Sequence, residues 1–292
     1  MSGWAFEELL PEAVRRGIGS LPQDLTELRL RAKQPAEVVC GCRSEFRGEA
    51  LSAALLSHTA HSLSEHSLYA REDELSEGYF TAAGGCRVGV CGRMSLEENG
   101  RLHMTHISSL CIRAAREVIG AADGIMDVLY ENGRVCSALI LSPPGMGKTT
   151  MLRDVLRQLS ERGIRTAAAD ERGELAVCLL GVPTMNVGRR TDVMDGCPKR
   201  IAMRMLVRSM APQVIVTDEL GHTGDMEAVL DALRCGVQVI ASVHADDERS
   251  AYLRCGADIG CFERLIILGG MPGQVKKVIR REEMRRNVWI SQ

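Results

Sequence analysis

The sequence predicts an α/β protein in which a mostly parallel, helix-covered sheet follows a smaller α+β domain. Two observations lead to this prediction. In the C-terminal part, short apolar runs alternate with stretches of helical spacing, as in strand–helix–strand units. In the N-terminal part, apolar and charged residues alternate and glycines interrupt the runs, which is typical of half-buried strands and turns. We therefore expect an α+β domain over residues 1–105 and the larger α/β domain over 106–292.

The composition is that of a folded protein and narrows the function classes. Of the 292 residues, 45% are apolar and 25% are charged, which excludes a disordered or fibrous chain. The net charge of -2 provides no global basic field for nucleic acid. No run approaches the roughly 20 apolar residues of a membrane-spanning helix. The 11 cysteines show no CxxC spacing and no signal peptide precedes them, so we expect reduced thiols and a cytoplasmic protein.

The first domain is predicted to start with a hairpin. From Leu25, the run LTELRLRAKQPAEVVC alternates apolar and charged residues on both sides of a turn. Residues 49–70 repeat leucine and alanine at helical spacing, and residues 78–94 return to strand-like runs broken by glycine. The segment HISSLCIRAAREVIG, residues 106–120, is predicted to be a helical linker at the start of the second domain.

The second domain alternates strands and helices. Two of its segments, MLRDVLRQLSERG and DMEAVLDALRCG, have the spacing of amphipathic helices. The predicted strands are VCSALILS (135–142), TAAAD (166–170), VPTMNV (182–187), VIVTDE (214–219), VQVIASVHA (237–245) and FERLIILGG (262–270).

A phosphate-binding motif directly follows the first of these strands. The run SPPGMGKT matches the Walker A pattern GxxxxGK[ST] except at its first position, where Ser142 replaces glycine. Such a loop wraps backbone N–H groups around a phosphate at a helix N-terminus. Lys148 is expected to reach the β- and γ-phosphates of ATP, and the Thr149 hydroxyl to bind Mg²⁺. The predicted nucleotide-binding residues are Ser142, Pro143, Pro144, Gly145, Met146, Gly147, Lys148, Thr149 and Thr150.

Acidic and imidazole side chains end the neighbouring strands, where ligands of parallel sheets bind. Asp218 ends the Walker B strand and is predicted to hold Mg²⁺, while Glu219 can orient or deprotonate the attacking water. Glu171, after the strand TAAAD, competes for that role and is equally suited to be the acid at a helix start. His244 is predicted to sense the γ-phosphate, and its alternative role is to cap the next loop.

These motifs together resemble a known family. The order of SPPGMGKTTMLRD, DERGE, VGRRTDVMDGCPK, LVRSMAPQVIVTDELG and SVHA resembles the secretion-ATPase branch of RecA-like motors, and more closely the stage III sporulation protein AA family of endospore-forming bacteria. ELRLRAKQP and GCRVGVCGR resemble its N-terminal domain. The resemblance implies a RecA-like P-loop ATPase of the mother-cell cytoplasm that assembles as a ring, such as a hexamer. It also implies partners among membrane-embedded sporulation channel proteins, with peripheral membrane contact.

The chain departs from the classical type II and type IV secretion ATPases at Asp218, where those often have glycine. Ring motors also need an arginine to neutralise the transferred phosphoryl group, often from a neighbouring subunit or domain. The candidates are Arg29, Arg31, Arg189, Arg190, Arg204 and Arg208.

Two other functions remain open at the level of the sequence. A nucleic-acid-dependent remodelling ATPase would use the basic segment Lys276–Arg286, but the near-neutral charge and the aromatic content of 3% argue against nucleic acid as a partner. A nucleotide switch that does not hydrolyse ATP would have no need of both Asp218 and Glu219.

Overall fold

The computed structural model describes residues 4–64, 75, 78–82, 85–96, 102–114, 117–222 and 224–284. The chain divides into two compact units, Met1–Arg116 and Glu117–Gln292. Among the described residues, no helix has both the length and the apolar character needed to cross a membrane.

The first unit is a six-stranded antiparallel sheet in the order β3-β2-β1-β6-β5-β4. Alternate strand residues such as Leu28, Val38 and Ile112 are buried against the helices. The α+β prediction is thus confirmed, including the hairpin after Leu25. Its elements are a 3-10 helix at Ala5–Leu9, α1 (Glu12–Ile18), β1 (Glu27–Arg31), β2 (Ala36–Cys40), β3 (Arg43–Arg47), α2 (Ala53–Leu63), β4 (Tyr79–Ala82), β5 (Cys86–Leu96) and β6 (Leu102–Arg113).

The helical linker predicted over residues 106–120 is wrong. Most of that segment is strand β6, which pairs with both β1 and β5, so the division between the units falls after Arg116 and not after residue 105. The register of β5 against β6 shifts between Cys91 and Gly92, which leaves Ser108 as an extra residue. Such a bulge breaks the two-residue period, so Ile107 and Leu110 have the three-residue spacing of a helix. Residues 115 and 116 of this segment lie outside the described residues.

The second unit is built on a seven-stranded sheet in the order β13-β10-β14-β15-β9-β16-β17. All neighbours are parallel except β17, which runs antiparallel to β16 at one edge. The α/β fold with a mostly parallel sheet is therefore confirmed. The sheet strands are β9 (Ala138–Ser142), β10 (Thr166–Asp170), β13 (Thr191–Asp195), β14 (Val214–Thr217), β15 (Gln238–His244), β16 (Arg264–Leu268) and β17 (Val275–Arg280).

Helices cover both faces of this sheet, which explains its continuous apolar runs. On one face, Ile140, Val216 and Ile240 pack with Leu152 and Leu156 of the helix after the P-loop. On the other face, Leu141, Ile215 and Val239 belong to a second core. The helices are α3 (Asp123–Leu129), α4 (Lys148–Glu161), α5 (Lys199–Ser209), α6 (Asp225–Arg234), α7 (Glu248–Cys255), a 3-10 helix at Ala257–Cys261 and α8 (Arg281–Met284).

One predicted strand of the second unit is placed differently. The segment VPTMNV, expected in the parallel sheet, contributes only β12 (Val182–Pro183), which pairs with β11 (Cys178–Leu179) in a separate hairpin. The edge of the sheet is instead β13, whose residues are half-buried or exposed. Its polar sequence TDVMD lacks the apolar run by which the buried strands are recognised. A second small hairpin joins β7 (Tyr130–Glu131) to β8 (Arg134–Val135).

The basic segment at the C-terminus forms the antiparallel edge strand. Arg264 and Arg280 both form ion pairs with Glu131, at 2.6 and 2.7 Å, and Lys277 lies 3.4 Å from Glu248. Two basic residues of the run, Lys277 and Arg280, therefore have acidic partners nearby. Arg285 and Arg286, the last basic residues of the run, lie outside the described residues.

Candidate functional site

The Walker A loop connects β9 to α4, the context that such a motif requires. Gly147 is in the left-handed region with φ 82° and directly precedes α4, so a side chain there would be strained. It also faces the turn between β16 and β17, where the Gly273 N–H donates to Met146 O at 2.9 Å. A contact from a distant part of the chain thus supports the loop.

Lys148 lies at the centre of this loop and is 7% exposed. Its ammonium donates to Ser142 O and Pro143 O at 3.0 Å and to Ser142 Oγ at 3.2 Å. Ser142, which replaces the first glycine of the pattern, therefore accepts from the lysine through both its oxygens. Burial lowers the pKa of the Lys148 ammonium, and the negative charge of Glu219 opposes this effect.

His244 connects the lysine to the Walker B strand. Its Nδ1 lies 2.8 Å from Lys148 Nζ. Since an ammonium can only donate, Nδ1 accepts and the proton of the neutral ring is on Nε2. Nε2 faces Glu219 Oε1 at 3.5 Å, and Arg172 forms an ion pair with the other oxygen of Glu219. A polar chain thus runs from Lys148 through His244 to Glu219 and Arg172.

Asp218 directly follows β14 and is 3% exposed. Burial raises the pKa of its carboxyl to about 6, although Lys199 acts in the opposite direction. Among the described residues, no hydrogen-bond donor reaches Asp218 Oδ1. A buried carboxylate oxygen without a donor suits a cation, which fits the predicted Mg²⁺ role. No cluster of three or more His, Cys, Asp or Glu that could hold a metal occurs within the described ranges. Mg²⁺ at phosphate sites commonly uses only one or two protein ligands besides the phosphates.

Asp170 and Glu171 end the neighbouring strand β10 and have different surroundings. The fully buried Asp170 carboxylate accepts from the backbone N–H groups of Glu174, Leu175 and Ala176, at 2.9 to 3.1 Å. Asp170 is thereby engaged in shaping the loop after the strand. Glu171 Oε2 lies 3.5 Å from Lys199 Nζ, on a different branch of the site from the Lys148–His244–Glu219 chain.

Comparison with known proteins agrees with these motifs. The family model described as "Sporulation stage III, protein AA" matches residues 7–286. The chain is also 40% identical over 251 residues to stage III sporulation protein AA of Bacillus subtilis (strain 168), covering 81% of this chain and 80% of that relative. This chain belongs to the stage III sporulation protein AA family.

The fold of this family member is shared with two proteins of known structure, an ATPase and a pilus retraction motor. The Legionella pneumophila ATPase DotB superposes with a TM-score of 0.61 at 15% identity, covering 92% of this chain and 80% of that chain. The pilus retraction motor PilT, solved with bound ADP, superposes with a TM-score of 0.63 at 15% identity, covering 98% of this chain and 87% of that chain. At such low identity the likeness establishes the fold alone, which this chain shares with DotB and PilT.

Two site residues of this family member were missed by sequence reasoning. Arg172 lies within the quoted DERGE segment, and Lys199 ends the quoted DGCPK segment, but neither was assigned a role. Lys199 Nζ donates to Asp218 O at 2.9 Å and Glu219 O at 2.5 Å. Pro198 and the helical pattern that begins at Lys199 signal a helix N-terminus, where a lysine is unexpected and could have been noticed.

Of the arginines proposed from the sequence, the four in the second unit lie away from this cluster. Arg189 and Arg190 precede β13 at the amino end of the sheet, since the Thr166 N–H at the start of β10 donates to Arg190 O at 3.0 Å. Arg204 lies on α5 and is 3.6 Å from Asp231, and Arg208 is in the last turn of that helix. In the first unit, Arg29 and Arg31 are paired with Glu27 and Glu37 at 2.6 Å.

Proposed function

We propose that this chain is a Mg²⁺-dependent ATPase whose hydrolysis drives a motor of the secretion-ATPase type. The observation that carries the proposal is the chain of contacts from Lys148 through His244 to Glu219. It joins the group that binds phosphate to a carboxylate that can act on water. Two proteins that share this fold, an ATPase and a pilus retraction motor solved with bound ADP, support the same function.

ATP binding is assigned to the loop from Ser142 to Thr150. The Lys148 ammonium would exchange its loop oxygen acceptors for β- and γ-phosphate oxygens, which carry full negative charge. The α4 N-terminus directs its free backbone N–H groups at the same phosphates. Asp218 and Thr149 would hold Mg²⁺, which supplies neutralisation of charge on the phosphates.

Hydrolysis requires a group that orients a water molecule and accepts its proton. Glu219 is favoured because it contacts His244, whose other nitrogen contacts Lys148. Glu171 remains the alternative, since it lies at the end of the adjacent strand and is 3.5 Å from Lys199. His244, with its Nε2 proton towards Glu219, would report the γ-phosphate to that carboxylate.

We further propose that the active form is a homo-oligomer, such as a hexamer, at a membrane-embedded sporulation channel facing the cytoplasm. The family membership supports this setting, and hydrolysis would be coupled to movement of one domain against the other. An arginine from a neighbouring subunit or domain would complete the site. Arg189 and Arg190, at the opposite edge of the sheet from Lys148, could only serve the site of another subunit.

The site assignment is tested by Lys148→Ala. Turnover of ATP, with and without magnesium, should fall to background and ATP binding should weaken greatly, because the ammonium gathers the β- and γ-oxygens. Lys277→Ala, at an exposed lysine of the edge strand, is the matched control and should leave turnover unchanged. If Lys148→Ala hydrolyses ATP at the wild-type rate, the assignment of the nucleotide site is wrong.

Assembly is tested separately. Specific activity should rise with protein concentration as the shared site forms, and sedimentation should show the oligomer over the same range. Removal of the responsible arginine should reduce turnover by roughly 10³- to 10⁵-fold. Adding an excess of that variant to the wild type should lower the measured activity, because most subunit interfaces then lack the arginine. If a monomer hydrolyses ATP at a rate that does not depend on protein concentration, the proposal of a shared site is wrong. The assignment of the P-loop would not be affected.

A further inference from the structure

Lys199 is a buried cation to which the hydrolytic scheme above assigns no role. It is the first residue of α5 and only 2% exposed. The dipole at a helix N-terminus repels a positive charge, and burial removes the hydration of the ammonium. The first turn of α5 contains no acidic residue that would offset this. A lysine in this position must be stabilised by groups from other segments.

Those groups come from the ends of both acidic strands. The ammonium donates to Asp218 O at 2.9 Å and to Glu219 O at 2.5 Å, and Glu171 Oε2 lies 3.5 Å away. An ammonium has three N–H donors; two are used by these carbonyl oxygens, and the charge also forms an ion pair with Glu171. Lys199 therefore joins the turn after β14 to the loop after β10.

The geometry differs from that of a simple counter-ion. The nearest carboxylate oxygen of Asp218, Oδ1, is 4.0 Å from the Lys199 ammonium, too long for a hydrogen bond. Within the described residues this oxygen has no hydrogen-bond partner at all. Lys199 thus holds the main chain of Asp218 while it leaves the carboxylate free to bind a cation.

The turn that Lys199 contacts is also held from its other side. Ser242 of β15 accepts from the Glu219 N–H through Oγ at 3.0 Å and from the Leu220 N–H through its carbonyl at 2.7 Å. Glu219 itself has φ 25°, a sparsely populated conformation that persists only where surrounding contacts enforce it. Lys199 and Ser242 both bind the main chain of this turn, one from α5 and the other from β15.

We propose that Lys199 is a positioning residue of the nucleotide site, which fixes the Asp218–Glu219 turn and Glu171 relative to each other. It acts through these groups and does not touch ATP. The inference rests on the proposed ATPase function, because it assigns to Lys199 the placement of that site's acidic groups.

The test compares Lys199→Met, which keeps the stem and removes the ammonium, with Lys199→Arg, which keeps the charge in a larger planar group. Lys276→Met, at an exposed lysine of β17, is the matched control. Three quantities are measured for each: thermal unfolding, affinity for ADP without magnesium, and affinity for a non-hydrolysable ATP analogue with and without magnesium. Steady-state turnover then gives kcat and KM separately.

We expect Lys199→Met to bind ADP without magnesium as the wild type does, because the P-loop is intact. Its kcat should fall about 10²-fold, the cost of misplacing a reacting group by about 1 Å. Magnesium should strengthen binding of the ATP analogue less than in the wild type. Lys199→Arg should lie between the two in kcat, since it restores the charge without the geometry.

Several results would overturn the proposal. Wild-type kcat in Lys199→Met, or in Lys199→Arg, would show that the position of the ammonium is immaterial. Loss of magnesium-free ADP binding in parallel with turnover, or failure of both variants to fold, would make Lys199 a purely structural residue. If only Lys199→Met fails to fold, the kcat and the magnesium-free ADP affinity of Lys199→Arg test the proposal in its place. If the wild type does not hydrolyse ATP, the proposed function fails. The effect of magnesium on binding of the ATP analogue, compared between Lys199→Met and the wild type, then still tests the role of Lys199.

Discussion

Strands β10 and β14 are neighbours in the parallel sheet, and an Asp–Glu dipeptide lies at the carboxyl end of each, Asp170–Glu171 and Asp218–Glu219. The first aspartate, Asp170, is saturated with backbone hydrogen bonds, whereas Asp218 keeps one oxygen without a donor among the described residues. The glutamates differ as well, since Glu171 faces Lys199 and Glu219 lies between His244 and Arg172. The same two residues thus shape a loop at one strand and present a free carboxylate at the next.

The two glutamates provide the test with the largest expected effect. Glu219→Gln should bind Mg-ATP and lose turnover by about 10²- to 10⁴-fold, because the amide keeps the shape and cannot take a proton. Glu171→Gln should lose less. Turnover and nucleotide binding are measured in both variants, and Glu219→Gln hydrolysing normally while Glu171→Gln does not would exchange their roles.

The two aspartates should differ in stability. Asp170→Asn places an amide N–H₂ against backbone N–H donors, so we expect a loss of about 3 kcal/mol in the free energy of unfolding. Asp218→Asn removes a charge that has no hydrogen-bond donor, so no such loss is expected. Denaturant unfolding in magnesium-free buffer checks this. An equal loss in both variants would mean that the two aspartates have equivalent structural roles.

The raised pKa of the Asp218 carboxyl predicts that the stability of the chain depends on pH. The folded chain retains the Asp218 proton up to about pH 6, whereas an unfolded chain releases it near pH ~4. The folded state therefore binds more protons between these values, and the Asp218 contribution to stability decreases as pH rises through this window. The decrease should be on the order of 2 kcal/mol.

This contribution is isolated by subtracting the unfolding free energies of Asp218→Asn from those of the wild type between pH 4 and 7, without magnesium. The wild type should lose stability relative to the variant as pH rises. A flat difference would indicate that solvent or another cation already compensates the Asp218 charge.

The smallest effect on turnover is expected for substitution of Arg172, which among the described residues forms an ion pair with Glu219 but not with Glu171. Its pair with Glu219 is half exposed, and such pairs contribute roughly 0 to 1 kcal/mol. Arg172→Met should therefore change turnover only about threefold, an energy within that range. A loss comparable to that of Glu219→Gln in steady-state assays would place Arg172 in contact with the phosphates instead.

The sequence determined the elements whose signal is local. Buried strands such as β9, β14 and β15 are continuous apolar runs, and the Walker A loop is contiguous, so spacing alone was enough to predict both. The polar edge strand β13 has no such run, and the bulge at Ser108 gave β6 a helical spacing. Both were mispredicted because burial and register depend on a partner strand.

The site divides in the same way. Ser142 to Thr150, Asp218, Glu219 and His244 could be proposed from the sequence because strand ends carry ligands in parallel sheets. The different surroundings of the two identical Asp–Glu pairs could not be predicted from the sequence. They depend on β14 lying between β10 and β15, and on α5 placing Lys199 against the β14 end. Asp170 is satisfied by N–H groups of its own loop. Only the tertiary structure brings Lys199 and Ser242, distant in sequence, to the main chain beside Asp218, while Oδ1 of Asp218 has no donor among the described residues.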